Sequence, residues 1–189
     1  DDVESRGLGD VYKRQVRDSA KALQEDSLAL LSKGKDSVFT KKNVRQDDGT
    51  VKREYDTDAI YKAVSKFVKD YNSTIESAAS SEDSSVLSST ASMVKATKAN
   101  SNLLADVGIS IGSDNKLTID EKAFKSANMT DVKSIFNGTG SYAYGIASSS
   151  SNIYNKSVSQ LANLNGYSYT STGSYSSYQY TGSLYSQYK

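Results

Sequence analysis

A mainly helical α+β fold, an elongated antiparallel helical bundle or coiled coil with a small β-hairpin element, is what this sequence predicts. Three observations predict it. Apolar residues recur at three- and four-residue steps through several long segments, the period of one face of a helix. No proline occurs anywhere to break those segments. One stretch, around residues 107–120, changes instead to strict alternation, the period of a strand. The apolar fraction is 37% over 189 residues, below the roughly 45–50% of ordinary soluble domains. The core is therefore expected to be thin and drawn out along helix stripes.

Residues 1–15, DDVESRGLGDVYKRQ, carry two glycines, mixed charge and no apolar periodicity. The run RGLGDVYKRQ resembles a recurrent artefactual translation product, so this segment is expected to be a leader foreign to the fold or disordered, with an ordinary frayed terminus as the alternative. The folded domain is expected over 16–165. Its first helix uses Val16, Ala20, Leu23 and Leu28 to Leu31 and stops at Ser32, Lys33 and Gly34. Residues 35–54 hold a loose pattern of Val38, Phe39 and Val44 around the polar turn DDGT, compatible with short strands or an irregular crossing.

The strongest helix signal lies at 56–79. Asp56 is placed to cap it, and Ile60, Val64, Phe67, Tyr71, Ile75 and Ala78 follow on one face, opposite Lys62, Lys66, Lys69 and Asp70. A second helix from Ser84 to about Asn100 is expected to present Leu87, Ala91, Val94 and Met93. In the alternating stretch, Val107, Ile109 and Ile111 face Leu117 and Ile119 across a turn at Ser113, Asp114 and Asn115, giving one apolar face that must rest on a helix or another sheet. Two short helices follow, one opened by Asp120 and Glu121, the other capped by Thr130 and ended by Gly138. The last helix, 141–164, lines up Ile146, Ile153, Ser157, Leu161 and Leu164, widened by Tyr154 and Val158. Its serine run lowers its intrinsic propensity, so it needs a packing partner. The candidate seam residues are thus Ile60, Val64, Phe67, Tyr71 and Ile75 against Ile146, Ile153, Val158 and Leu161 on an antiparallel partner. Tyr142, Tyr144 and Tyr154 form a candidate interface patch, because tyrosine supplies rigid area with a polar tip. Residues 166–189 hold seven of the fourteen tyrosines among Ser, Thr and Gly, with one charge at Lys189. Such a tract is expected as a tail that orders, if at all, on a partner.

Composition narrows the chemistry. Cys and His are both absent, which removes thiol and imidazole nucleophile systems and the usual zinc sites. The acids Glu82, Asp83, Asp106, Asp114, Asp120 and Glu121 sit at turns and helix starts and are expected to be solvated. Asp114, Asn115, Asp120 and Glu121 lack the spacing of a calcium loop, and GTGSYAYG at 138–145 lacks the lysine of a phosphate loop. Sequons at Asn72, Asn128, Asn137 and Asn155 are expected to be chance in a Ser/Thr-rich chain. No catalytic residue, metal or cofactor is expected. Balanced, interleaved charge, 23 basic against 22 acidic residues, disfavours nucleic acid as a partner, and no apolar run is long enough for membrane insertion. The predicted mode of action is packing against protein.

Three passages carry a resemblance to a known family. FVKDYNSTIE at 67–76, LLADVGISIGSDNKLTIDEKAF at 103–124 and VKSIFNG at 132–138 are similar to the C-terminal region of flagellar hook-associated protein 2, the filament-capping protein. The resemblance spans about half the chain. It implies a structural, non-enzymatic component exported through the flagellar channel, extracellular on the bacterial flagellum, assembling with copies of itself and contacting flagellin or hook-associated proteins. The Ser/Tyr/Gly tail and the short region before Val16 depart from the family's pattern, so a truncated capping protein or a small divergent relative is implied. The alternative from the residues alone is an extracellular adhesion or binding module using its tyrosine-rich surface.

Overall fold

The computed structural model describes residues 2–164, so the tyrosine-rich tail at 166–189 lies outside the described residues. The elements in order are helix α1 (Asp2–Leu31), hairpin strands β1 (Lys42–Arg45) and β2 (Val51–Glu54), helices α2 (Thr57–Ala79), α3 (Ser84–Ala99) and α4 (Ser101–Asp106), hairpin strands β3 (Ile109–Ile111) and β4 (Leu117–Ile119), and helices α5 (Glu121–Ser126), α6 (Met129–Phe136) and α7 (Tyr142–Leu164). The molecule is mainly helical with two small antiparallel strand pairs. That is the predicted class, with a second hairpin where the sequence left strands and an irregular crossing open.

The long helices pack antiparallel. Ser19 on α1 meets Ser77 on α2 with hydroxyl oxygens 2.7 Å apart, and Asp26 meets Lys66, so the two helices run in opposite directions. Asn137, just before α7, donates its amide to the carbonyls of Leu30 and Ser32 at 2.6 and 3.1 Å. This satisfies carbonyls that the end of α1 leaves without helical partners and sets α7 antiparallel to α1. Thr97 at the end of α3 meets Tyr142 at the start of α7 at 3.0 Å. The order around the bundle is therefore α1, α2, α3, α7, with α7 lying chiefly along α1 and α3.

That order corrects the expected pairing of α2 with α7. The two helices stand diagonally, and they touch through Phe67 and Tyr142, whose ring centroids are 6.0 Å apart. On α7 the buried face is Tyr142, Ala143, Ile146, Ala147, Ser150, Ile153 and Ser157. Val158 is 36% exposed and leaves the seam, while Leu161 is only half-buried. Small side chains on this face allow close approach of α1, and a stripe fixed by Ser150, Ile153 and Ser157 turns Val158 outward.

A similar correction applies to α3. Its buried face is Val86, Thr90, Met93 and Thr97, whereas Leu87 is 42% exposed, Ala91 is exposed and Val94 is half-buried. Two threonines take core positions because each hydroxyl donates to the carbonyl one turn back, Thr90 to Val86 at 2.9 Å and Thr97 to Met93 at 3.0 Å. Ser27, Ser150 and Ser157 do the same at 2.7, 2.8 and 2.9 Å. A hydroxyl satisfied inside its own helix is buried without a lone polar group, and the side chain then counts as a small core residue.

The N-terminal segment is also helical. α1 runs through residues 2–15, the stretch expected as a disordered or foreign leader, and its buried stripe begins at Val16. Val11 and Tyr12 on that stretch are 47% and 44% exposed. The physical reason is permissive rather than driving: no proline interrupts it, and Glu, Arg, Lys and Gln tolerate a helix while Gly costs about 1 kcal/mol each.

Between α1 and α2 sits one buried carboxyl. Asp26 is 8% exposed and bonds to Lys66, which also reaches Asp70 at 3.3 Å. Lys66 itself stays exposed on the polar face that its spacing predicts and reaches Asp26 from there. Burial first, and the neighbouring Asp70 carboxyl second, push the Asp26 pKa up from 3.8 to about 6, against the opposing pull of Lys66. Between those two values the folded chain holds a proton that the unfolded chain has released, so stability falls as pH rises from about 4 to about 6. A shift of this size corresponds to roughly 2–3 kcal/mol. Asp26→Asn is expected to flatten this decline and to raise the unfolding free energy at pH 7.5 by about 1–2 kcal/mol. Urea denaturation of both chains at pH 5 and 7.5 checks it, and a pH-independent difference between them would refute the assignment.

Candidate functional site

Aromatic residues of α2, α6 and α7 come together in one packed unit. Phe67, Phe136 and Tyr142 form a triad of edge-on rings with centroids 5.6, 6.0 and 6.1 Å apart. Edge-on rings of this spacing place the positive rim of one over the negative face of the next. The Tyr142 hydroxyl shares a 3.0 Å hydrogen bond with Thr97, and burial raises its pKa. The nearby Tyr71 hydroxyl is buried without a partner in hydrogen-bonding geometry.

The second tie joins α2 to the β3–β4 hairpin. Asn72 donates its amide to the Leu117 carbonyl at 2.8 Å and accepts from the Leu117 N–H at 2.7 Å, so one side chain reads both backbone groups of a single strand residue. Lys116 reaches Glu76 at 3.1 Å one turn further along the helix. Beneath these contacts Ile109 and Leu117 are buried, which supplies the single apolar face that the alternation predicts. The third tie is glycine. Gly108 follows α4 with φ of 78°, and a Cβ there would lie 2.8 Å from the Phe124 nitrogen and 2.9 Å from the Ala123 Cβ. Only a residue without a side chain lets the strand start so close to α5.

The N-terminal ends of α2, α3, α5 and α6 are secured by short polar side chains. Asp56, Asp83 and Asp120 accept hydrogen bonds from N–H groups of the first turns of α2, α3 and α5. Hydrogen bonding to Ser85 and the Val86 N–H holds Asp83 below its usual carboxylate range, and Lys42 and the Ala59 N–H do the same for Asp56. Asn128, not Thr130, caps α6, accepting from the Thr130 N–H at 2.9 Å. The residue two positions earlier wins because its side-chain amide oxygen reaches forward while Thr130 is already inside the helix. Of the sequon asparagines, Asn72, Asn128 and Asn137 thus have their amide groups engaged in structure.

The seam residues Ile60, Val64, Phe67, Tyr71 and Ile75 are all buried in the core of this chain, as are Ile146 and Ile153. They hold the bundle together and present nothing to a partner. Tyr142, Tyr144 and Tyr154 do not share one exposed surface. Tyr142 is 6% exposed inside the ring triad, Tyr154 is half-buried against the core and Tyr144 is 46% exposed. Tyr142 is drawn inward because the first turn of α7 lies over Phe67 and Phe136.

An open cleft lies between the β1–β2 hairpin, the start of α2 and α5. Both of its lysines are already paired. Lys42 pairs with Asp56 at 2.8 Å, and Lys125 pairs with Asp58 and Glu121 at 2.7 Å each while lying over the Tyr61 ring. Those carboxylates raise the Lys125 pKa. A ligand would have to displace ion pairs that cap α2 and α5. Among the described residues no group of carboxylates is placed to hold a metal ion, and no helix is long and apolar enough to cross a membrane.

The class that fold and contacts define is a mainly helical α+β protein with an antiparallel bundle and a hairpin bolted to its second helix. Comparison with protein-family models, with curated proteins and with solved structures found no match.

Proposed function

We propose that this chain is a structural component related to the bacterial flagellar filament cap, acting outside the cell by assembling with copies of itself and contacting flagellin or hook-associated proteins. The observation that carries this reading is spatial. The three passages similar to the capping-protein family are 67–76, 103–124 and 132–138, and the first contacts both of the others, through Phe67 and Phe136, Asn72 and Leu117, and Glu76 and Lys116. The seam residues are consumed within the chain, so assembly must use other surfaces, where Leu87, Leu103 and Tyr144 remain exposed.

Light scattering coupled to size-exclusion chromatography on the whole chain tests the proposal, alone and with flagellin from the same source. A discrete ring-sized oligomer or a stable flagellin complex is the expected result. A monomer that leaves flagellin unbound would overturn it.

A further inference from the structure

The two hairpins share one turn. In β1–β2 the Gln46 N–H donates to the Thr50 carbonyl at 2.8 Å, Gly49 donates back to Gln46 at 2.9 Å, and the Asp48 carboxylate accepts from the Thr50 N–H at 2.9 Å. In β3–β4 the same three bonds join Gly112 to Lys116 at 2.8 Å, Asn115 to Gly112 at 3.0 Å, and Lys116 to Asp114 at 3.1 Å. Gly49 and Asn115, with φ of 84° and 63°, fill the same left-handed position, the three-residue hairpin loop with a closing bulge. The hairpins differ in what they rest on. β3–β4 buries an apolar face, whereas every residue of β1 and β2 is exposed. Burial of a strand face therefore does not account for the first hairpin.

Its side chains are sorted by face. Residues opposite one another across an antiparallel pair point the same way, and neighbours along a strand point opposite ways. From the pairs Lys42 with Glu54 and Val44 with Lys52, one face holds Lys42, Val44, Lys52 and Glu54 and borders the cleft, where Lys42 is neutralised by Asp56. From the pairs Asn43 with Arg53 and Arg45 with Val51, the other face holds Asn43, Arg45, Val51 and Arg53, extended by Lys41, whose ammonium lies 4.9 Å from the Tyr55 ring centroid. No acid lies on the strands of this second face: Glu54 points the other way, Asp48 is engaged in the turn, and Asp47 stands in the loop beyond Arg45. Among the described residues Lys41, Arg45 and Arg53 form no ion pair, and all three are exposed.

We infer that this face of β1–β2 is a docking surface for an acidic segment of a partner protein. Two arginines on diagonal positions of one face suit carboxylates, which guanidinium groups grip in a planar, two-point fashion. Val51 and Asn43 between them give the mixed apolar and polar contact of a protein interface, in which Arg is enriched. Nucleic acid fits less well, because three cations release few counterions compared with the roughly 6–10 phosphate contacts of duplex binders. Charge on an exposed hairpin also discourages edge-to-edge pairing, but that role does not require acids to be excluded from one face. The inference is independent of the flagellar reading, since an acidic partner segment is defined by chemistry alone.

The test uses the full chain and a fluorescein-labelled peptide alternating Glu and Thr, followed by anisotropy. Binding that weakens with added salt is expected, and the double variant Arg45→Ala/Arg53→Ala is expected to weaken it at least about tenfold. The charge-matched control Lys62→Ala/Lys69→Ala, on the exposed face of α2, is expected to leave affinity within about twofold, with unchanged circular dichroism for both variants. Absence of peptide binding, equal loss in both variants, or tighter arginine-dependent binding of duplex DNA or of heparin would each overturn the inference.

Discussion

Truncation of Phe67 to alanine is expected to lower the unfolding free energy by about 3–5 kcal/mol, the range for emptying a fully buried aromatic position. Phe67 is 0% exposed and its ring lies edge-on to both Phe136 and Tyr142. Removal empties the space between α2, the end of α6 and the start of α7. It also strips contacts from Tyr142, whose hydroxyl bond to Thr97 anchors α3 to α7. The chain has no tryptophan, so urea denaturation followed by far-ultraviolet circular dichroism is the suitable measurement. A loss below about 1 kcal/mol would show that the triad is not a core element.

Gly108→Ala is the second large effect, expected to cost about 3 kcal/mol from two sources. A left-handed backbone costs a residue with a side chain roughly 1 kcal/mol or more, and φ at Gly108 is 78°. The added methyl would also stand 2.8 Å from the Phe124 backbone nitrogen, and forcing apart a packed contact costs a further 1–3 kcal/mol or so. The relief available is to lift β3 off α5, which would break the 2.9 Å bond from the Asp120 N–H to the Gly108 carbonyl. Gly112→Ala serves as the comparison, because its methyl would meet chiefly the Asp114 carboxylate at 2.7 Å, the end of a side chain that can turn away. Its cost is expected to stay under about 1 kcal/mol. Equal losses at the two glycines would remove close backbone approach as the explanation for Gly108.

The elements with strong local periods were legible before any coordinates. Asp56 and the stripe Ile60, Val64, Phe67, Tyr71, Ile75 mark α2, and the alternation from Val107 to Ile119 marks the second hairpin with its turn at Ser113, Asp114 and Asn115. A cap and a repeat are local facts, written within a few residues of where they act. The buried faces of α3 and α7 were harder to see, since hydropathy ranks Leu87 and Val158 above Thr90 and Ser150. A side-chain hydroxyl changes rank only when its own helix satisfies it and a neighbour covers it, and the second condition is tertiary.

The ties between elements were not legible. Asn72 read as a sequon and Asn137 as the end of a short helix, yet their amides join α2 to β4 and α6 to α1. An asparagine shows the same letter at a turn, a cap or a tertiary bridge, and its partner lies 45 residues away at Leu117 in the first case. The sorting of charge on β1–β2 was hidden for a related reason, because facing requires the register to be known.

What the sequence determined by itself was the kind of protein: mainly helical, with a hairpin near 107–120, free of cysteine and histidine chemistry, with α2 amphipathic and capped. What only the tertiary structure decided was who faces whom. The α1–α2–α3–α7 order, the diagonal placement of α2 and α7, and the burial of Tyr142 all follow from contacts between segments whose local patterns fit several partners equally well. Periodicity fixes which side of a helix is apolar, but the neighbour that covers it is chosen by the summed packing of the whole chain.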